Sequence, residues 1–172
     1  MVIYIGADHR GFKLKEYLSG ILRQSGYTVI DLGNDQYDEE DDFVDFARAV
    51  AEKVNVDYEG SRGILICGSG VGMDVIANRF PNIRSALVGN ADQAFDSRND
   101  EDANVLCLGA NYLEPSLAKK ILETWLQTPF SGEERFKRRI NKIAELSAWL
   151  IELLEAENKK LEEIDSEEDK IN

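Results

Sequence analysis

A three-layer α/β/α sandwich around a five-stranded, mainly parallel sheet is the fold class this sequence predicts, and three observations predict it. Short apolar runs alternate with helix-period segments from Val2 to Trp125, and such alternation places crossover helices on both faces of a parallel sheet. The first and third apolar runs end in glycine-containing turns, as strand-to-helix connections do. Beyond Glu133 a long helical pattern without Gly or Pro continues to the end of the chain.

The first strand is Val2-Ile3-Tyr4-Ile5, a buried-strand pattern stopped by Gly6-Ala7-Asp8-His9-Arg10-Gly11. A helix follows, with Leu14, Leu18, Ile21 and Leu22 at helical spacing until Gly26. Thr28-Val29-Ile30 forms a second strand ending in Asp31-Leu32-Gly33, and the acidic stretch from Asp35 to Asp42 is a surface loop. Phe43, Phe46, Ala47 and Val50 make the next helix face, and the third strand ends at Cys67. A short helix near Asp74 to Arg79, a strand from Ser85 to Val88 and a helix near Ala91 to Arg98 come next. Val105-Leu106-Cys107-Leu108 is the fifth strand, and Leu117, Ile121, Leu122 and Trp125 lie on another helix.

In Rossmann-like sheets of this kind ligands bind beyond the carboxyl ends of the strands. That rule gathers Gly6 to Gly11, Asp31 to Asp42, Cys67 to Gly72, Gly89 to Ala91 and Gly109 to Leu113 on one edge. Cys107 lies inside its strand, where packing rather than chemistry is expected.

The C-terminal part carries Ile140, Ile143, Leu146, Leu150, Leu153, Leu154 and Leu161 as an apolar stripe, more than the sheet can cover. A subunit interface is expected where this helix begins. Glu162 to Asn172 is acidic and nearly free of apolar residues, so it reads as a frayed tail. The chain thus divides into one domain over residues 1–145 and a helical extension over 146–172, with no internal repeat.

A length of 172 residues suits one ordinary domain, and 43% hydrophobic content supplies a core for it. Lys+Arg 20 against Asp+Glu 33 gives a formal charge of −13, which argues against nucleic-acid and anionic-membrane partners. The two cysteines make no metal or disulfide framework, and the chain opens on a strand pattern without a signal peptide or long apolar span. A cytoplasmic location follows as the expectation.

The chemistry concentrates at Cys67-Gly68-Ser69-Gly70-Val71-Gly72-Met73, where an apolar strand delivers a thiol into a glycine-rich turn. Backbone N–H groups there can face an anion, so a nucleophile or base beside an oxyanion cradle is one reading. A buried cysteine before an ordinary turn is the other. Arg135-Phe136-Lys137-Arg138-Arg139 with Lys142 is the basic cluster of this acidic chain. Arg135 and Arg139 share a helix face and suit an oxyanion between two guanidinium groups, although a solvated charged face has the same pattern.

Taken together, Asp8-His9-Arg10-Gly11-Phe12-Lys13-Leu14-Lys15, the Cys67 to Met73 turn, Ala77-Asn78-Arg79, Ile83-Arg84-Ser85-Ala86-Leu87, Ser97-Arg98 and Asp102-Ala103-Asn104-Val105-Leu106 resemble type B ribose-5-phosphate isomerase. The wider family includes galactose-6-phosphate and allose-6-phosphate isomerases, and the resemblance runs from about Ile3 to Ile143. It implies an aldose–ketose isomerase that moves a proton between C2 and C1 through an enediolate, with no metal or organic cofactor. Cys67 matches the family's base, the backbone from Gly68 through Gly70 and Val71 to Gly72 its oxyanion donors, and Ser69 the hydroxyl that shuttles a proton at O1. Asp8 and His9 match residues that hold the sugar and its phosphate. Arg135 and Arg139 match a phosphate clamp, with one extra residue at Glu133-Glu134 where the family usually has glycine. The family assembles its site from two subunits, which implies a homodimer or a dimer of dimers with shared sites.

Three departures bear on the substrate. Asp100 stands where the family has the acid-base histidine that opens the sugar ring, Glu101 where it has a substrate-binding asparagine, and Asn111 where it often has arginine; Val44 also replaces a common proline. Ribose 5-phosphate is the first substrate expected and a hexose 6-phosphate the next. The alternative is a non-catalytic or altered paralogue that binds a sugar phosphate or assembles with an active partner. Nucleotide binding is the weakest reading, since G-x-G-x-G is not the dinucleotide spacing.

Overall fold

The computed structural model describes the backbone of residues 1–171 and the side chains of residues 1–160. Two compact units divide the chain, Met1–Gly132 and Glu133–Asn172. The first contains β1 (Val2–Ala7), α1 (Phe12–Gln24), β2 (Thr28–Asp31), α2 (Phe43–Val56), β3 (Ser61–Cys67), α3 (Val71–Ala77), β4 (Ser85–Leu87), α4 (Ala91–Asn99), β5 (Val105–Gly109) and α5 (Pro115–Gln127). The second is the helix α6 (Glu134–Ile171). The frayed tail expected over Glu162 to Asn172 falls on residues whose side chains lie outside those described.

Five strands form one sheet in the order β2-β1-β3-β5-β4, and every pairing is parallel. β1 and β3 run side by side from Val2↔Ser61 to Ala7↔Ile66, so their carboxyl ends finish level with each other. Because side chains alternate across a strand, the central strands feed two separate cores. Ile3, Ile5, Ile64, Ile66, Leu106 and Leu108 pack on one face with Leu18 and Leu22 of α1 and Ile121 and Trp125 of α5. Leu65, Cys67, Val105 and Cys107 pack on the other with Val50 and Val54 of α2 and Met73 and Ala77 of α3. Each fully buried aliphatic side chain contributes about 1.5–3 kcal/mol relative to exposure. These two layers hold all five strand ends at one edge.

Local signals set the helix starts. Asp42 accepts the Val44 N–H ahead of α2, and Asn90 accepts the Gln93 N–H ahead of α4, while Pro115 opens α5. The short third helix begins at Val71 rather than near Asp74, because the glycine turn itself runs into the first helical turn. Gly70 is its cap at φ 79°, and a Cβ there would lie 2.4 Å from Leu87 Cδ1, so conformation and space both require glycine. Among the described residues, no helix is long and apolar enough to cross a membrane.

Lys15 is fully buried, and its position among the apolar residues of α1 has an electrostatic reason. Its ammonium donates to Asp31 Oδ2 at 2.6 Å and to the Asn34 carbonyl at 2.7 Å, and lies 3.3 Å from Glu16 Oε1. The long aliphatic stem fills the core while the head ties the end of β2 and its loop to α1. Lys15→Ala should cost about 3–5 kcal/mol, because it leaves a carboxylate and a loop carbonyl without their cation. Urea denaturation checks this; a loss under about 1 kcal/mol would mean that the loop is held by other contacts.

Candidate active site

The order of the strands fixes where a site can form. The chain leaves β1 toward β2 on one side, while β3 lies against β1 on the other, so the crevice between the ends of β1 and β3 is the topological switch point. A cavity of about 360 Å³ opens there, lined by Asp8, His9 and Arg10 after β1, Cys67, Gly68, Ser69 and Gly72 after β3, and Phe43 at the start of α2. Its size is in the range that small-molecule sites occupy. The two turns touch directly: Asp8 N–H donates to the Ile66 carbonyl at 3.3 Å, and a Cβ on Gly11 would fall 2.2 Å from the same oxygen.

Cys67 ends β3 with 5% exposure, and the Gly70 N–H donates to its Sγ at 3.1 Å. Ser69 is exposed at the mouth of the turn, with its Oγ accepting from Val71 N–H at 3.3 Å. Two further backbone bonds bring the β5–α5 turn to this edge: Ala110 N–H to the Cys67 carbonyl at 2.9 Å and Asn111 N–H to the Gly68 carbonyl at 3.0 Å. A second cavity of about 310 Å³ lies on the other side of Ser69, with Leu87, Val88, Tyr112 and Leu113 as its largely apolar walls.

Charge near the thiol comes from the β1 turn and the β2–α2 loop. Asp8 is buried, and its Oδ1 accepts from the Gly11 N–H at 2.9 Å. Burial raises its carboxyl above the usual aspartate value, while the Gly11 donor and His9 pull in the opposite direction. His9 Nδ1 is 2.7 Å from Asp41 Oδ1, and the Asp41 side chain is only 4% exposed. That hydrogen bond is the main reason the imidazole binds its proton above its ordinary value of 6.5; the charges of Asp41 and Asp8 act in the same sense, and burial and Arg10 oppose them. Tyr37 stands edge-on to the His9 ring with centroids 6.2 Å apart. The Arg10 guanidinium lies over Gly68, where an added Cβ would meet Nε at 2.7 Å.

Among the sequence-derived site residues, the structure brings Asp8, His9, Cys67, Gly68, Ser69, Gly70, Val71, Gly72 and Asn111 to this edge. It does not bring Asp100 and Glu101 there. Both follow α4 and precede β5, at the opposite edge of the sheet, where Arg84 Nε donates to the Glu101 carbonyl at 2.9 Å. Arg98 and Arg84 both pair with Asp102 in the same loop, at 2.7 Å and 2.9 Å. Arg135 and Arg139 belong to the second unit, where both guanidinium groups pack over the Phe136 ring at 4.4 Å and 5.6 Å. Arg135 also pairs with Glu133 at 2.9 Å. Cys107 is fully buried, and burial with the nearby Asp74 charge holds its thiol well above the usual range, as a packing role requires.

Sequence reasoning placed Arg10 and Asp41 on the binding edge within longer runs without singling either out, and missed Phe43 at the cavity and Lys15 as the support of the loop. Lys15 left a signal, standing three and seven residues before Leu18 and Leu22 on the apolar stripe. Asp41 left none, being one carboxylate in an acidic run.

A thiol that accepts a backbone N–H, an imidazole and a guanidinium line one small cavity, and similarity to known proteins supplies the class, an aldose–ketose isomerase. The chain belongs to the ribose/galactose isomerase family, whose model matches residues 3–143. A curated relative from Mycoplasma genitalium, named probable ribose-5-phosphate isomerase B, is 40% identical over 141 residues, which are 82% of this chain and 92% of that protein. Ribose-5-phosphate isomerase B of Mycobacterium tuberculosis is 36% identical over 145 residues, covering 84% and 89%. Among solved structures, the Mycoplasma genitalium enzyme with bound ribulose-5-phosphate superposes with a TM-score of 0.83 at 39% identity, over 86% of this chain and 96% of that one. The Clostridium thermocellum ribose-5-phosphate isomerase B gives 0.83 at 41% identity, over 87% and 99%.

The His9–Asp41 pair makes the site pH-dependent. Since the folded-state value is raised, the pair's contribution is complete below about pH 6.5 and is lost as pH rises through the raised value. Asp41→Asn should lower the His9 titration midpoint toward 6.5, measured by NMR of the ring protons of this single histidine. An unchanged midpoint would show that Asp41 does not hold the proton.

Proposed function

We propose that this protein interconverts a phosphorylated aldose and its ketose, ribose 5-phosphate and ribulose 5-phosphate first among them, with Cys67 as the proton-transfer base. The observation that carries the reading is the Gly70 N–H on Cys67 Sγ at the β1/β3 crevice, which sets a thiol and the glycine turn beside one small volume. In the open-chain aldose the thiolate takes the C2 proton while the carbonyl electrons move onto O1. The resulting enediolate is negatively charged, and its stabilisation is assigned to backbone N–H groups of the Gly68 to Gly72 turn. The thiol then returns the proton to C1 for the ketose. Ser69 carries the proton exchanged between O1 and O2, and His9 in its cationic form attracts the phosphate.

The remaining site residues fit a shared assembly. In one chain Asp100 and Glu101 lie at the sheet edge opposite Cys67, and a five-residue strand at about 3.3 Å per residue separates those edges by more than a side chain's reach. They can act on a substrate at Cys67 only if a second copy supplies them, and the clamp of Arg135 and Arg139 is assigned to the partner in the same way. Asp100 replaces the ring-opening imidazole in this scheme. A homodimer, or a pair of such dimers, is the corresponding assembly.

Cys67→Ala should slow exchange of the substrate C2 proton with solvent by about 10²–10⁴-fold, the range of one general base, and leave phosphate binding in place. Cys107→Ala, a change in packing alone, is the control. Proton exchange measured by NMR on ribose 5-phosphate decides the point, and near-normal exchange in the Cys67 variant would remove it as the base.

Arg139→Ala should weaken sugar-phosphate binding about ten- to a hundredfold, the value of one charge-assisted contact. Co-assembling a Cys67→Ala chain with an Arg139→Ala chain should restore one working site per dimer. Absence of that recovery, with subunit exchange demonstrated, would place the whole site within one chain.

A further inference from the structure

The family match ends at residue 143, yet α6 continues to Ile171. In the unmatched part lie Leu146, Trp149, Leu150, Leu153 and Leu154, each 43–59% exposed in the single chain, with Ile143 at 45%. Exposed apolar residues scattered singly need no explanation, but a row on one helix does. Ile143, Leu146, Leu150 and Leu153 are spaced three, four and three apart, the heptad seam of a helix that packs against another helix.

We propose that this seam is a self-association surface, on which α6 of a second copy lies antiparallel. The direction follows from charge. Residues 138–144 carry Arg138, Arg139 and Lys142, whereas residues 152–158 carry Glu152, Glu155 and Glu157. A parallel alignment stacks like on like along the whole seam. An antiparallel alignment centred at residue 148 sets the basic segment of each copy against the acidic segment of the other. The same register pairs Ile143 with Leu153 of the second copy and Leu146 with Leu150, so the four seam residues all meet apolar partners, and it sets Ile140 opposite Ala156. The contact is isologous and closes at two copies.

The area is sufficient. Six large apolar side chains roughly half exposed present about 500 Å² per copy, so pairing removes at most about 1,000 Å² in total, the lower end for a specific interface. A face of this size left in water is an aggregation liability.

The test is cysteine pairing in the full-length chain, where both native cysteines are buried. Leu146→Cys and Leu150→Cys chains, co-expressed with different tags and oxidised mildly, should form a mixed disulfide at least ten times faster than co-expressed Glu145→Cys and Ile151→Cys, which sit at the same height on the outer face. All four positions are exposed, so the thermal unfolding of each variant should match that of the parent. A Leu146→Cys chain that links to itself as fast as the mixed pair overturns the antiparallel register. A mixed pair no faster than the outer-face control overturns the interface itself.

Discussion

The rest of the structure depends on one close approach, that of the β1 turn onto the end of β3. The parallel ladder from Val2↔Ser61 to Ala7↔Ile66 brings the two strand ends level, and Gly11 then packs so tightly that a Cβ would stand 2.2 Å from the Ile66 carbonyl oxygen. Any larger residue would push the turn carrying Asp8, His9 and Arg10 away from Cys67, the residue after Ile66. The contact is therefore a fold constraint and a site constraint together. Because β3 is central and its neighbours are buried on both faces, the thiol stands at the end of a strand held by packing on either side.

Electrostatics around the cavity run against the charge of the whole chain. A net charge of −13 repels a phosphorylated sugar at long range, and only local cations reverse that. The acidic loop from Asp35 to Asp42 takes part in this reversal, since Asp41 keeps His9 cationic at higher pH and the buried Lys15 holds the loop's beginning through Asp31 and Asn34. Screening shortens the long-range repulsion to about 8 Å at physiological ionic strength. The local donors, at hydrogen-bond distance, are little affected.

The two compact units divide the chemistry differently. The sheet unit holds Cys67, its glycine turn and His9; the α6 unit holds Arg135, Arg139 and the exposed seam. A site that draws on Arg135 and Arg139 ties catalysis to assembly, because those groups are carried on an element with its own apolar surface to cover. Self-association through α6 would thereby act on the concentration at which complete sites exist.

By itself the sequence determined the parallel α/β architecture, its binding edge and the identity of the thiol turn. Those follow from local rules: apolar periodicity separates strand from helix, and Gly68, Gly70 and Gly72 mark a backbone that must turn tightly beside Cys67. The motifs from Asp8 to Asn104 likewise carried the family. Tertiary structure decided which distant residues meet. Asp41 lies 32 positions from His9, and nothing in an acidic run distinguishes the one carboxylate that folds back onto an imidazole from those left in water. Asp100 shows the converse. Its motif match implied a part in ring opening but not which copy's Cys67 it would serve, and the strand direction of β5 sets it at the far edge of the sheet within one chain, because chain order fixes neighbours in sequence whereas strand order and direction fix neighbours in space.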